Sequence, residues 1–346
     1  MRELVDRHLS PVYDDSGSFA VTLDDGSTLG VHRCGVSPQE AVRVVLYFHG
    51  MGCSRLEVAV PQCQHYYLQH QFCILGVDRP GYGLSSVPAE NTEHSRESFA
   101  AKVEHLLDVL EVSQQALISI VGFSSGGPYA MECAARWQRS VDSVACIAAE
   151  GPQEEYPLSL WWHMRYGGVL LKAFYALGLV DYTMLKQARD RDAKLRQEGI
   201  DVVAAGFYGH MFRAACDDRK EALRRVLVAS HCENETGIEQ AIQLERLSFN
   251  RPWLIDGVSL FEAIPANTRF YFLHAERDAL RTPQVSHYLA DRIRQHRADE
   301  IASSGVRVHV EHRREKGGGL HALHLLEHNW LHLLKQLDPR SQPESN

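Results

Sequence analysis

No stretch of this sequence is both long and purely apolar. The longest candidate, Gly167 to Val180, is broken by Lys172 and falls short of the roughly 20 residues that a membrane helix requires, so no transmembrane segment is expected. Basic charge is in short supply too. Lys plus Arg total 36 against 44 Asp plus Glu, a net charge of -8, and no basic run exceeds a few residues. A nucleic-acid binder carries the opposite balance, so a nucleic-acid partner is not expected.

Also missing is any C-x-x-C pair. The eight cysteines, Cys34, Cys53, Cys63, Cys73, Cys133, Cys146, Cys216 and Cys232, show no regular spacing. In a chain this long they read as reduced and mostly buried thiols, neither a disulfide frame nor a zinc site. The opening residues, Met1 to His8, mix both charge signs and have no apolar segment, which leads to the expectation of a cytoplasmic protein without a secretory leader. Internal repeats are absent as well.

What is present is an ordinary globular composition: 45% apolar and 23% charged over 346 residues. At about 100–200 residues per domain, that permits one large core with an insertion or two modest domains, and it excludes disorder and collagen-like folds. Over the first 150 residues, short β-branched runs alternate with helix-period segments, the pattern of a mostly parallel sheet flanked by helices. Ser18 to Leu23 and Thr28 to Cys34, joined by Asp24-Asp25-Gly26, predict an opening hairpin. Val42 to Phe48, Cys73 to Val77, Leu117 to Val121 and Val141 to Ala149 read as further strands, the first three apolar enough for the sheet interior. Phe99, Val103, Leu106, Leu107 and Leu110 recur at helical spacing and predict a helix lying on that sheet.

From about residue 153 to 262 no strand is predicted, and aromatic and helix-forming residues dominate. Trp161, Trp162, Tyr166, Phe174, Phe207, Tyr208 and Phe212 make an apolar lining for an acyl chain or a ring conceivable, although packing between helices accounts for more than half of them. The sheet pattern resumes with Arg269 to His274 and Val306 to Val310, separated by a helix from about Val285 to His296. A last helix is predicted from about Ala322 to Gln336, followed by a frayed polar tail, Asp338 to Asn346. The reading is an α/β core from 1–152 and 263–346 with a helical cap insertion at 153–262.

The chemistry concentrates at Val121-Gly122-Phe123-Ser124-Ser125-Gly126-Gly127-Pro128. A strand ends at Val121 and a helix-period run begins at Ala130, so this G-x-S-x-G occupies the strand-to-helix turn that a nucleophile elbow requires. Ser124 there presents its hydroxyl at a helix N-terminus, beside the Ser125 amide as an oxyanion donor. Phe48-His49-Gly50-Met51-Gly52-Cys53-Ser54 follows another strand and has the glycines to turn the Met51 amide toward the elbow as a second donor. Asp78-Arg79-Pro80-Gly81-Tyr82-Gly83 reads as a rigid turn near the site mouth, and Cys53 as a buried filler.

Together these segments resemble the α/β-hydrolase fold superfamily, in its serine-nucleophile branch with a helical cap. His49 to Gly52 is similar to the family's oxyanion loop, Asp78 to Gly83 to the loop after its fourth strand, and Gly122 to Gly127 to its elbow. The resemblance implies a triad in chain order serine, acid, histidine. Asp278, in His274-Ala275-Glu276-Arg277-Asp278, stands at the family's acid position, with Glu276 and Glu150 as weaker alternatives. His321, after Gly317-Gly318-Gly319-Leu320, stands at the histidine position, although Leu320 replaces the usual glycine and leaves His324 as a competing base. Ala298 to Gly305 lengthens the interval between acid and histidine, at little entropic cost. His324, His328 and His332 recur every four residues, for which a packed or solvated helix stripe is a better account than a metal face.

The function expected is hydrolysis of a carboxylic ester, or a related acyl bond, of a small apolar or acyl-chain substrate through an acyl-enzyme, with no cofactor and no metal. The apolar segment of the cap also permits transient contact with a lipid surface. Two other readings fit the same residues: a non-catalytic small-molecule receptor or scaffold, and a lyase or carbon–carbon bond hydrolase using the same triad.

Overall fold

The computed structural model describes residues 17–88, 95–152, 155–157, 159–160, 179–233, 237–249, 253–278, 282–296, 298, 307–314, 321–338 and 340. The aromatics Trp161, Trp162, Tyr166 and Phe174, the apolar stretch up to Gly178, the interval 299–305 and the glycine run Gly317 to Gly319 lie outside the described residues.

The main sheet has eight strands: β1 (Ser18–Thr22), β2 (Thr28–Gly35), β3 (Arg43–Phe48), β4 (Phe72–Val77), β5 (Leu117–Phe123), β6 (Val141–Ile147), β7 (Arg269–Ala275) and β8 (Val308–Arg313). They stand in the order β1-β2-β4-β3-β5-β6-β7-β8. The β1–β2 and β2–β4 pairs are antiparallel and the other pairs are parallel. The opening hairpin is as the sequence predicts, its turn closed by Asp25 Oδ1 accepting from the Ser27 amide at 2.9 Å.

Every side chain of β3 and β4 is buried. Strand side chains alternate between faces, so Val44, Leu46 and Phe48 enter one apolar cluster while Val45 and Tyr47 enter another. Helices cover both clusters, which is why these strands read as unbroken apolar runs and not as alternating ones. On one face lie α2 (Arg96–Val109) and α3 (Gly126–Arg136), and on the other α1 (Gln64–His70). The start of α2 is fixed by a reciprocal cap, Ser95 Oγ accepting from the Ser98 amide and Ser98 Oγ from that of Ser95.

Between β6 and β7 the chain forms α4 (Leu179–Glu198), α5 (Ile200–Phe207), α6 (His210–Ala214), α7 (Asp217–Cys232) and α8 (Gly237–Phe249). These helices are tied to the loops at the C-terminal ends of the strands. Ser54 donates to the Val226 carbonyl at 3.0 Å and Ser230 to the Gly52 carbonyl at 3.1 Å. Arg55, buried in the turn after β3, bridges Asp78 at 2.7 Å and Glu233, just past α7, at 2.6 Å.

The region does contain one piece of strand that the pattern reading missed. Leu254–Ile255 pairs with Val258–Ser259 across Asp256 and Gly257, both at positive φ, a two-residue hairpin too short to show alternation. Then follow α9 (Leu260–Ala263), α10 (Gln284–His296) and α11 (Glu327–Leu337). The last helix begins five residues later than its apolar spacing suggests, because Leu323–Leu325 forms a separate 3-10 turn. Of the seven cysteines whose side chains are described, five are buried and none is bonded to another. Among the described residues no helix is long and apolar enough to cross a membrane.

Candidate active site

Ser124 sits where β5 passes into α3, at φ 51°, a left-handed backbone costing a non-glycine residue roughly 1–2 kcal/mol. The strain is held by close packing on both sides. A Cβ at Gly122 would stand 2.6 Å from the Gly126 carbonyl oxygen, and one at Gly126 would stand 2.1 Å from that of Phe48. The Ser124 amide donates to the Ile147 carbonyl at 2.8 Å, and its own carbonyl accepts from Gly127 and Glu150, each at 3.1 Å. The bend thereby aims the side chain off the end of the sheet.

His321, just ahead of the 3-10 turn, brings Nε2 to 2.9 Å from Ser124 Oγ and Nδ1 to 2.7 Å from Asp278 Oδ2. Asp278 follows β7 and its side chain is fully buried. Burial by itself would raise this carboxyl, but hydrogen bonds from His274 and His321 outweigh it and hold the group well below the usual carboxylate range. It therefore stays ionised and can accept a hydrogen bond from Nδ1, an arrangement that points Nε2 at the Ser124 hydroxyl.

The other candidates go elsewhere. His324 Nε2 meets the Tyr47 hydroxyl at 2.7 Å, and burial pushes its imidazole down to about 3. Glu276 is exposed and faces Arg314, while Glu150 is buried directly behind the elbow. The three evenly spaced histidines do not share a face: His324 is buried, His328 is exposed, and His332 pairs with Glu311 at 2.9 Å. Among the described residues no group of three or more His, Cys, Asp or Glu is arranged to hold a metal ion.

Gly50 closes the site from the β3 side, since a Cβ there would lie 3.3 Å from that of Ser124. His49 stiffens this loop. Its Nε2 accepts from the Arg79 amide at 3.1 Å and its Nδ1 donates to the Gly50 carbonyl at 2.8 Å, a role that requires the neutral ring that burial and the Arg79 charge favour. Among the described residues neither the Met51 nor the Ser125 amide has an acceptor.

Two sets of residues at the site were not singled out by sequence reasoning. His274 adds a second imidazole to Asp278, Nε2 to Oδ2 at 3.2 Å, and is itself oriented by Ser286 Oγ at 2.8 Å from Nδ1. Its position four residues before the acid is a usable signal, obscured by 19 histidines in the chain. Arg79 donates to Ser125 Oγ and to Glu245 of α8, each at 3.1 Å, and Tyr82 donates to the same carboxylate at 2.6 Å. No local pattern could have linked Arg79 to a residue on a distant helix.

The sequence matches the family model of the alpha/beta hydrolase fold over residues 43–310. The chain belongs to that family. Solved structures agree in fold across nearly the whole length. An esterase from Exiguobacterium antarcticum is 15% identical with a TM-score of 0.58, covering 92% of this chain and 98% of its own. A thermophilic esterase from Thermogutta terrifontis is also 15% identical, with a TM-score of 0.54 and the same coverage, 92% and 98%. A bromoperoxidase from Bacillus anthracis, 16% identical with a TM-score of 0.58, covers 93% of this chain and 100% of its own. No curated protein matches the sequence. At such identities the structural neighbours speak for the fold alone, and the activity has to be argued from the site.

Proposed function

We propose that this alpha/beta hydrolase cleaves carboxylic esters through an acyl-enzyme, with Ser124 as nucleophile, His321 as base and Asp278 as the acid that orients it. The observation that carries this reading is the continuous contact from Ser124 Oγ to His321 Nε2 at 2.9 Å and from His321 Nδ1 to Asp278 Oδ2 at 2.7 Å. Ser124 attacks the acyl carbon as His321 takes its proton, and the oxyanion is met by the Met51 and Ser125 amides. His321 then protonates the leaving alcohol, and a water molecule activated by the same ring releases the acid.

Residues 153–262 act in this reading as a cap over a core of 1–152 and 263–346. An apolar cluster in which Tyr82 and Met51 meet Leu185, Ile238, Ala241 and Ile242 favours a small apolar or acyl-chain substrate. The buried, unbonded cysteines suit a cytoplasmic site of action.

The test is turnover of short p-nitrophenyl esters by the wild type and by Ser124→Ala, with fluorophosphonate labelling of both. A fall of at least about 10⁴-fold, and a label on Ser124 alone, are expected. Equal rates, or a label elsewhere, would overturn the assignment.

A further inference from the structure

The far end of the oxyanion loop carries an unneutralised cation. Arg191, on α4, lays its guanidinium against Gly52, where a Cβ would come within 2.5 Å of Nη1. The same guanidinium stacks on Phe207 at 5.0 Å from the ring centre. Nη1 is buried and has no hydrogen-bond partner among the described residues, and no described carboxylate forms an ion pair with Arg191. Its neighbours on the helix do pair: Arg189 with Glu239 at 2.5 Å, and Asp192 with His231 at 2.7 Å.

A second orphan lies in the same region. The Tyr208 hydroxyl, at the end of α5, is buried without a hydrogen-bond partner among the described residues and interacts electrostatically with Arg191. Asp192, the next residue on the helix, acts on the charge only electrostatically and spends its hydrogen bond on His231, and the nearby weak acids do not neutralise it. Burial keeps the Cys53 thiol and the Tyr208 phenol far above their ordinary ranges, so both stay protonated and neutral. A buried cation with an unfilled donor is costly unless something anionic completes it.

We propose that Arg191, with Tyr208, forms an anion subsite that receives a carboxylate on the acyl part of the substrate, so that the preferred esters are half-esters of dicarboxylic acids. This rests on the esterase reading above and narrows its substrate class. The placement fits the chemistry. Gly50 abuts Ser124 and Gly52 abuts Arg191, and the two Cα atoms are at most about 7 Å apart. The two glycines belong to one loop, so Ser124 and Arg191 touch the same short stretch of backbone, and an acyl chain that ends in a carboxylate is the substrate class that can engage both. With a net charge of -8 the molecule as a whole repels anions, so a local cation is needed to hold one.

The experiment compares kcat/KM for p-nitrophenyl hydrogen glutarate and p-nitrophenyl pentanoate in the wild type, Arg191→Met and Arg191→Lys. The wild type is expected to favour the anionic ester, with the preference shrinking as salt is raised. Arg191→Met should lower the ratio of the two constants by about 10–100-fold, and Arg191→Lys should restore part of it. A wild type that prefers the neutral ester, or a ratio unmoved by Arg191→Met, overturns the proposal. Should Arg191→Met fail to fold, the wild-type preference and its salt dependence still decide. Calorimetric binding of glutarate to Ser124→Ala separates the two readings. Glutarate binding to Ser124→Ala that is lost in Ser124→Ala/Arg191→Met and partly kept in Ser124→Ala/Arg191→Lys, without any ester turnover by the wild type, would remove the esterase reading and keep the anion subsite. Ester turnover without glutarate binding or anionic preference would do the reverse.

Discussion

His274 Nε2 stands 3.2 Å from the same Asp278 oxygen that His321 Nδ1 meets at 2.7 Å. One buried carboxylate oxygen thus serves two imidazoles, and only one of them reaches Ser124. In the proposed mechanism His274 acts on the site through Asp278, holding the carboxylate where it can accept the His321 Nδ1 hydrogen bond. It is a positioning residue.

Replacing His274 by Gln removes or weakens one of the two hydrogen bonds that keep the Asp278 carboxyl low, while leaving the burial that raises it. The carboxyl of the variant should titrate at higher pH. The expected result is a fall of about 10-fold in kcat, because a carboxylate held by one hydrogen bond fewer orients His321 less well. Asp278→Asn should cost far more, about 10³–10⁴-fold, at every pH. A purely structural His274 would lower the yield of folded enzyme and leave kcat per titrated active site unchanged, and active-site titration beside kcat distinguishes the two.

His321 and His324 are three residues apart but occupy opposite chemical situations. Burial, reinforced by the nearby His321, drives the His324 imidazole down to about 3, and its Nε2 is committed to Tyr47. His324→Gln should therefore retain ester hydrolysis within about 10-fold while losing roughly 1–3 kcal/mol of stability, the cost of disturbing a buried hydrogen bond. His321→Ala should fall to the level of Ser124→Ala. Steady-state rates beside urea unfolding of both variants check this, and a dead His324→Gln that remains as stable as wild type would reverse the assignment.

Much of this was legible in the sequence where local physics decides. Near-continuous apolar runs marked β3 and β4, because strands buried on both faces need mostly apolar side chains, and the exception, Arg43, is paired with Asp142. Gly122 and Gly126 marked the elbow, because backbone passes where any Cβ would sit. His321 could be ranked above His324 only by family resemblance, since separating them requires knowing which ring the tertiary fold buries. Arg79 and Glu245 were illegible for the same reason: their contact spans 166 positions and follows no period. The ribbon at Leu254–Ile255 was too short to carry any pattern.

Behind the oxyanion loop, Glu57 is buried with Oε2 accepting from the Tyr47 hydroxyl at 2.6 Å, and that hydroxyl faces His324 in turn. Burial pushes the Glu57 carboxyl up from 4.5 to about 7, against the pull of the Tyr47 and Cys53 hydrogen bonds. Its folded value thus exceeds its unfolded one, so between about pH 4.5 and 7 the folded chain holds a proton that the unfolded chain has released. By linkage its stabilising contribution is greatest below that window and is lost as pH rises through it, by as much as about 3 kcal/mol. His324 works in the opposite direction, since a ring depressed to about 3 must be deprotonated on folding and gains stability as pH rises toward 6.5. The whole-protein curve mixes the two, and the useful quantity is the difference between wild type and Glu57→Gln, which retains the shape and stays neutral. That difference should move in favour of the variant from pH 5 to 7.5, as read by urea unfolding at each pH. A difference that stays flat would mean that Glu57 is ionised in the folded state throughout, with its charge balanced by the Arg79 guanidinium that already pulls its titration down.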